Sequence, residues 1–196
     1  MIDLIIPYYN NPEGLKRTLD SINTDVFYVT LIDDNSTIYA PYNPKVDWVL
    51  RYNINHGPGY ARQFGLDRTS NPYVMFIDTG DIFISKELQD RIQYELYHSE
   101  PNLMSCLYYH YDQLSKHTDN RMHGKIYKRS FLEKYHISFP LESSYLNEDI
   151  GFNRTCNIII NEKKLLQTRL DIPIIKQVLE ENSLTKKNNS EALYKD

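Results

Sequence analysis

The sequence predicts an α/β fold, with helices packed on a parallel sheet, and three observations carry that prediction. Short apolar, β-branched runs recur through the first half, each ending in polar or Gly/Pro residues and followed by apolar residues at helical spacing, which is the mark of βα units. The 196 residues are 41% hydrophobic and 24% charged, with 7 Gly and 9 Pro, which is a globular composition and not a disordered or fibrous one. The 2 cysteines, Cys106 and Cys156, stand in unrelated contexts without a CxxC motif, so they read as buried reduced thiols in a core that needs no disulfide or zinc staple. A chain of this length is expected to form one domain around one core.

Ile2–Tyr8 is too short for an independent helix and reads as a buried strand ended by Pro7. Asn11-Pro12-Glu13 offers an N-cap, a proline at the first helical position and an acid in the first turn, and Leu15, Leu19 and Ile22 supply one apolar face of a helix to about Asn23. Val26–Ile32 is a second strand, running straight into Asp33-Asp34-Asn35-Ser36, and Trp48–Tyr52 a third. Gly57-Pro58-Gly59 turns into a helix reaching about Thr69, and Val74–Ile77 is a strand that stops at Asp78-Thr79-Gly80-Asp81. Ser85 caps the next helix, with Leu88, Ile92 and Leu96 as its stripe. In the less regular second half, Leu103–Tyr111 and His123–Lys128 read as strands, and Ser130-Phe131-Leu132-Glu133 as a capping box opening a short helix. Asn147 can cap a helix beginning at Glu148-Asp149, Pro173–Glu181 reads as a last helix, and residues 182–196 form a polar tail. Residues 1–181 are therefore expected to be a single domain.

The net charge of −4 argues against a nucleic-acid footprint. No apolar run approaches the roughly 20 residues needed to span a membrane, and Met1-Ile2-Asp3-Leu4 lacks the basic and apolar regions of a signal peptide, so a cytoplasmic location is expected. Walker A and GxGxxG motifs are absent.

Three acidic clusters stand out: Asp33/Asp34, Asp78/Asp81 and Glu148/Asp149. Singly, each reads most simply as a cap at a strand exit or helix start. Together they suggest more, because the carboxyl ends of parallel strands share one edge, where ligands bind. Asp78 and Asp81, three apart across a glycine turn, suit a hard divalent cation that shares its shell with a diphosphate, and a carboxylate pair at a helix start suits a general base.

Five segments in order, Leu4-Ile5-Ile6-Pro7-Tyr8-Tyr9-Asn10, Leu31-Ile32-Asp33-Asp34-Asn35-Ser36, Asn55-His56-Gly57-Pro58-Gly59-Tyr60-Ala61-Arg62, Phe76-Ile77-Asp78-Thr79-Gly80-Asp81 and Asn147-Glu148-Asp149, resemble the motif set of family 2 glycosyltransferases over residues 1–155. The resemblance implies a GT-A fold, a Rossmann-like, mixed but mostly parallel sheet flanked by helices, with a nucleotide-sugar half at 1–100 and an acceptor half at 101–181. It implies inverting transfer of a single sugar from a nucleotide-diphosphate donor, UDP-linked by expectation, to a glycan or other hydroxyl acceptor. Pro7, Tyr9, Asn10 and Asp34 would hold base and ribose, Arg62 would reach the nucleotide or diphosphate, and Asp78 would serve nucleotide and metal together. Asp81 and His123 would complete a Mn²⁺ or Mg²⁺ site, Asp149 would be the catalytic base and Glu148 its neighbour orienting acceptor or base. The family's Asp-x-Asp-Asp motif is altered here at Gly80, so either Asp81 takes the ion through a shifted turn or a water, or metal dependence is weakened. Asn182-Ser183-Leu184-Thr185, with Lys186 or Lys187, resembles a late lid segment, and Tyr108, Tyr109 and Tyr111 are candidates to stack on an acceptor sugar. Three other readings remain open at this level: a catalytically impaired sugar-nucleotide-binding module with Gly80 as its defect; a nucleotidyltransferase, against which the absence of a Gly-rich basic loop after the first strand counts; and a sugar transferase whose acceptor is a nucleobase in DNA, against which the acidic composition counts.

Overall fold

The computed structural model describes residues 1–117, 120–140 and 148–178. Nine strands and five helices alternate along it: β1 (Ile2–Tyr8), α1 (Pro12–Ser21), β2 (Phe27–Asp33), β3 (Trp48–Arg51), α2 (Pro58–Leu66), β4 (Tyr73–Phe76), β5 (Ile82–Phe83), α3 (Lys86–Ser99), β6 (Leu103–His110), β7 (Gln113–Leu114), β8 (Lys125–Lys128), α4 (Arg129–Lys134), α5 (Glu148–Lys163) and β9 (Gln167–Lys176). The strands form one sheet in the order β3-β2-β1-β4-β8-β6-β9-β5, with β7 beside β6. β3, β2, β1 and β4 are mutually parallel, β8 runs against both β4 and β6, and β9 is parallel to β6. β1 to β4, β6 and β9 therefore all point the same way and deliver their carboxyl ends to one edge.

Side chains alternate along each strand, so two cores form, one per face. Leu4 and Ile6 of β1 and Met75 of β4 pack under α1 and α3 through Leu15, Leu19, Ile92 and Leu96. Ile5, Val74 and Phe76 pack on the other face under α2, α4 and α5, through Ala61, Leu66, Phe131, Phe152 and Cys156. The expected caps of α1 and α3 are present: Asn11 Oδ1 accepts from Gly14 N at 2.9 Å and Ser85 Oγ from Leu88 N at 3.3 Å.

Two sequence expectations fail. Pro173 does not open a helix; it lies in β9, opposite Leu107, where the parallel register shifts. A proline can enter a strand at such an irregularity because no ladder N–H is needed from it. Nor does Ser130 cap a helix. It sits inside α4, whose N-cap Lys128 makes no side-chain bond. The end of that helix is secured instead by Arg129, which donates to Leu66 O, Asn71 O and buried Asp3, the last at 2.8 Å. The expected cap Asn147 and the segment 182–187 lie outside the described residues.

Cys106 and Cys156 are buried and unpaired, and burial pushes both thiols up to about 12. Because the unfolded thiols ionise near their ordinary value, about 8.5, the unfolded chain releases these protons first and stability falls as pH rises from there toward 12. A thiol reagent at pH 8 is expected to react with neither cysteine until denaturant is added; prompt labelling of the native protein would contradict this burial.

Candidate active site

The shared edge collects the β1 exit (Tyr9-Asn10), the β2 exit (Asp33–Ser36), the β4 exit (Asp78–Asp81) and the β9 exit (Gln177-Val178). At the first two, polar side chains tie loops together. Asp33 serves its own turn, accepting from Ser36 N at 2.8 Å, and also pairs with Arg51. Asp34 reaches across to the start of α2, its two carboxylate oxygens accepting from His56 N and Gly57 N, both at 2.8 Å. Asn10, at φ 52°, accepts from Ile38 N at 2.8 Å, and Pro7 O accepts from Thr79 Oγ1 at 2.6 Å. Tyr9 projects outward, 53% exposed. Pro7, Tyr9, Asn10 and Asp34 thus line one stretch of the edge, with Tyr9 the side chain most open to solvent.

The β4 exit explains Gly80. Asp81 N donates to Asp78 O at 3.1 Å, closing a four-residue turn whose third residue has φ 107°. Positive φ at that position is what makes glycine the preferred residue there. The turn is further pinned by Gly80 N donating to buried Thr18 Oγ1 of α1 at 2.9 Å. Its effect is to carry Asp81 inward until it is only 6% exposed. Gly80→Asp, which would restore the family's commoner residue, is therefore expected to cost about 1–2 kcal/mol of stability, on the order of 5 °C in Tm, without improving metal affinity. Tighter metal binding in that variant would show that Gly80 is a lost ligand position and not a turn residue.

Asp78, Asp81 and His123 converge, one ligand atom from each lying within 4.8 Å of the others. His123 Nε2 is 3.1 Å from Asp81 Oδ2 and 3.7 Å from Asp78 Oδ2. Burial raises the Asp81 carboxyl above its ordinary value in spite of the His123 ring beside it. At Asp78 burial also disfavours the charge, but Arg62 and His123 outweigh it and hold the carboxyl low. His123 is raised: the burial that opposes its charge is overcome by Asp81 and Asp78. His123 Nδ1 is buried without a hydrogen-bond partner, and Asp81 Oδ2 is buried with the His123 ring beside it but makes no well-aligned hydrogen bond. A buried carboxylate, a half-exposed one and a buried imidazole on one small patch are a donor set that fits a hard divalent cation.

Arg62, expected at the diphosphate, is instead buried as a bridge between motifs. One terminal nitrogen binds Asp78 and the other binds Glu148 Oε1 at 2.7 Å. Burial disfavours the guanidinium charge, yet Asp78 and Glu148 raise its pKa above the ordinary value. Glu148 is itself raised, by burial, against the pull of Arg62. Its side chain runs over Gly59, where an added Cβ would come within 2.5 Å of Glu148 Cγ; that close approach explains a glycine in the first turn of α2. Asp149, next along α5, is half-buried, and its backbone oxygen accepts from Asn153 Nδ2 at 2.9 Å while Asn153 Oδ1 accepts from the Tyr127 hydroxyl. Neither Asn153 nor Tyr127 is marked by a motif; only their spacing from Asp149 once α5 and β8 are in place reveals them. Of the tyrosines proposed for sugar stacking, Tyr108 is a core residue, 2% exposed, whereas Tyr109 and Tyr111 are half-buried.

The family model for "Glycosyl transferase family 2" matches residues 3–167. The chain belongs to glycosyl transferase family 2. Among curated relatives, an uncharacterized glycosyltransferase of Rickettsia felis is 25% identical over 146 residues, 70% of this chain and 22% of the relative, and one of Haemophilus influenzae is 27% identical over 107 residues, 49% of this chain and 42% of the relative. The chain thus matches less than half the length of these relatives. Among solved structures, Staphylococcus aureus TarS 1-349 in complex with UDP-GlcNAc superposes with a TM-score of 0.79 at 19% identity, covering 94% of this chain and 60% of that one. The mannosyltransferase PcManGT from Pyrobaculum calidifontis, in complex with GDP-Man and Mn²⁺, gives 0.71 at 15% identity, covering 97% and 60%. At such identities the likeness is one of fold, and the fold is the GT-A type, a mixed α/β sheet with flanking helices. Among the described residues of this family 2 chain, no helix is long and apolar enough to cross a membrane.

Proposed function

We propose that this glycosyltransferase moves a single sugar from a UDP-linked donor to an acceptor hydroxyl with inversion at the anomeric carbon. The observation that carries the reading is the junction of motifs at the carboxyl edge, where Asp78, Asp81 and His123 converge and Arg62 links Asp78 to Glu148 beside Asp149. The UDP and UDP-GlcNAc complexes of TarS, which shares this fold, support UDP as the nucleotide.

On this reading, nucleotide and ribose lie against Tyr9, Asn10 and the loop braced by Asp34. Asp78, Asp81 and His123 would hold Mn²⁺ or Mg²⁺, which when bound supplies positive charge beside the departing diphosphate. Asp149 accepts the acceptor hydroxyl proton while that oxygen bonds to the anomeric carbon from the face opposite the nucleotide. The bond from that carbon to the diphosphate breaks and its electron pair leaves with the diphosphate oxygen. Arg62, held between Asp78 and Glu148, keeps α5 and the β4 turn in register, so that base and leaving group stay on opposite sides of the sugar. The acceptor enters past β6 and β7, where Tyr109 and Tyr111 offer partly exposed rings. The structural part played by Gly80 removes the main support for an impaired binding module.

A thermal-shift titration with UDP, GDP, CDP and ADP, with and without Mn²⁺, tests the donor site. UDP at about 100 times its Kd is expected to add about 2.7 kcal/mol, or on the order of 5–10 °C, and more with Mn²⁺ present. No shift with any of the four would refute the reading, and a shift that ignores Mn²⁺ would remove the metal from it.

A further inference from the structure

The two ends of the sheet are finished differently. At one end the terminal strand, β5, is two residues long, and Phe83 in it is buried and stacked on Phe27 with ring centroids 5.0 Å apart. At the other end the terminal strand is β3, Trp48-Val49-Leu50-Arg51, which pairs with β2 alone; among the described residues its outer edge meets no other strand. Side chains alternate along a strand, so Trp48 and Val49 point to opposite faces, and they are 48% and 58% exposed. Ile38, Tyr39, Tyr42, Trp48, Val49 and Ile54 are six of the 14 large hydrophobic side chains exposed among the described residues. Exposed apolar surface is thus gathered in the stretch around this edge, which is the mark of an interaction surface.

An open strand edge presents a row of backbone donors and acceptors, and a protein that keeps such an edge single protects it with Lys, Pro, a bulge or a projecting charge. β3 contains neither Lys nor Pro and follows β2 in unbroken register. Its one charged residue, Arg51, is turned back to the β2 exit, where it pairs with Asp33 and donates to Ser36 O at 2.8 Å. We infer that β3 is the contact of a homodimer, in which the β3 strands of two copies pair antiparallel about a two-fold axis and continue the sheet from one copy into the other. A second copy is the occupant that the side chains select. Residues directly opposite in such a pair point to the same face, so the axis must pass through one residue of the strand. Centred on Val49, the register sets Trp48 against Leu50 of the second copy and Asp47 against Arg51, apolar against apolar and acid against base. Centred on Leu50, it would set Val49 against Arg51. The first register is the favourable one, because cross-strand pairs of matched chemistry stabilise a sheet and like charges do not meet. β2 and β1 lie between β3 and β4, so this pairing leaves the Asp78, Asp81 and His123 edge open in each copy.

The test is the mass of the full chain in solution, by light scattering and sedimentation velocity over a range of concentrations, for wild type, Val49→Lys, Val49→Cys and Tyr94→Cys. The wild type is expected to move from 23.2 kDa toward twice that mass as concentration rises. Val49→Lys sets two like charges against each other on the axis and is expected to weaken dimerisation at least about tenfold. Its monomer should melt close to wild type, because Val49 is exposed. With residue 49 on the axis, the two copies of its Cα stand about 4.5–5.5 Å apart, within reach of a disulfide, so Val49→Cys is expected to crosslink two chains under mild oxidation. Cys106 and Cys156 are buried and give no background, and Tyr94→Cys, on α3 and about as exposed as Val49, is expected to crosslink little. A wild type that stays at 23.2 kDa up to about 100 μM, above the micromolar limit of an interface of standard size, would overturn the proposal. So would a Val49→Lys protein that dimerises like wild type, or a Tyr94→Cys protein that crosslinks as readily as Val49→Cys.

Discussion

Asp149→Asn is expected to lower kcat by about 10²–10⁴-fold, the usual worth of a positioned general base, while UDP-induced stabilisation and Tm stay near wild type. The substitution keeps the shape of the side chain and removes only its ability to take a proton. Asp149 stands outside the Arg62 bridge, its backbone oxygen is held by Asn153, and its side chain is half-buried, so no buried charge is stranded by the change. Glu148 is the control. Glu148→Gln should disturb stability first, because its carboxylate is the buried partner of Arg62. The measurement is UDP release with an accepted donor and acceptor, read as kcat and KM separately. Near-normal turnover by Asp149→Asn would move the base elsewhere, whereas equal losses in both variants with equal losses of Tm would mean that the pair only caps α5.

Arg62→Met is expected to be the most destabilising single change at this edge. It keeps the volume and apolar stem of the side chain but leaves Glu148 and Asp78 facing one another without the cation between them. Removing one member of a buried ion pair costs about 3–5 kcal/mol. The lower end applies here because the Asp78 side chain is 38% exposed and water can screen it. A loss of about 3 kcal/mol corresponds to on the order of 10 °C in Tm. Saturating Mn²⁺ should return part of that loss, since a cation held by Asp78 and Asp81 compensates one of the two stranded carboxylates. An Arg62→Met protein that melts within a degree or two of wild type would show that the bridge does not hold α5 to the β4 turn.

Most of the first half of the fold was legible because its signals are local. Asn11-Pro12 and Ser85 announce helix starts through bonds made within three residues, and the runs at Ile2, Phe27 and Tyr73 are short, apolar and bounded by breakers. The second half was less so. Gln167–Lys176 carries Leu170, Ile172 and Ile174 at period two, a strand signal, but Pro173 invites a helix start, and the bulge that lets a proline sit in this strand exists only opposite β6. That misreading put Gln177 inside a helix, whereas β9 ends at Lys176 and delivers Gln177 to the edge beside His123. Ser130 looked like a cap for the reason that capping boxes are local patterns, whereas Arg129 secures α4 through Asp3, a partner 126 residues away.

The residues proposed to carry the chemistry are written in the chain: Asp34, Asp78, Asp81, His123, Glu148 and Asp149 are identifiable as an ordered set of acids and one imidazole, in motifs that resemble the family whose model matches residues 3–167. Their partners are not. Arg62 reads in one dimension as a cation free to meet a phosphate, yet both terminal nitrogens of its guanidinium bind carboxylates, one of them 86 positions later. Gly80 reads as a missing ligand, yet its φ of 107° is what brings Asp81 under the surface. Residue type and short spacing depend on the neighbouring few residues and survive in sequence; pairing of buried charges depends on which strand ends share an edge, and that is decided only when the sheet closes β1, β4 and β9 onto the same side.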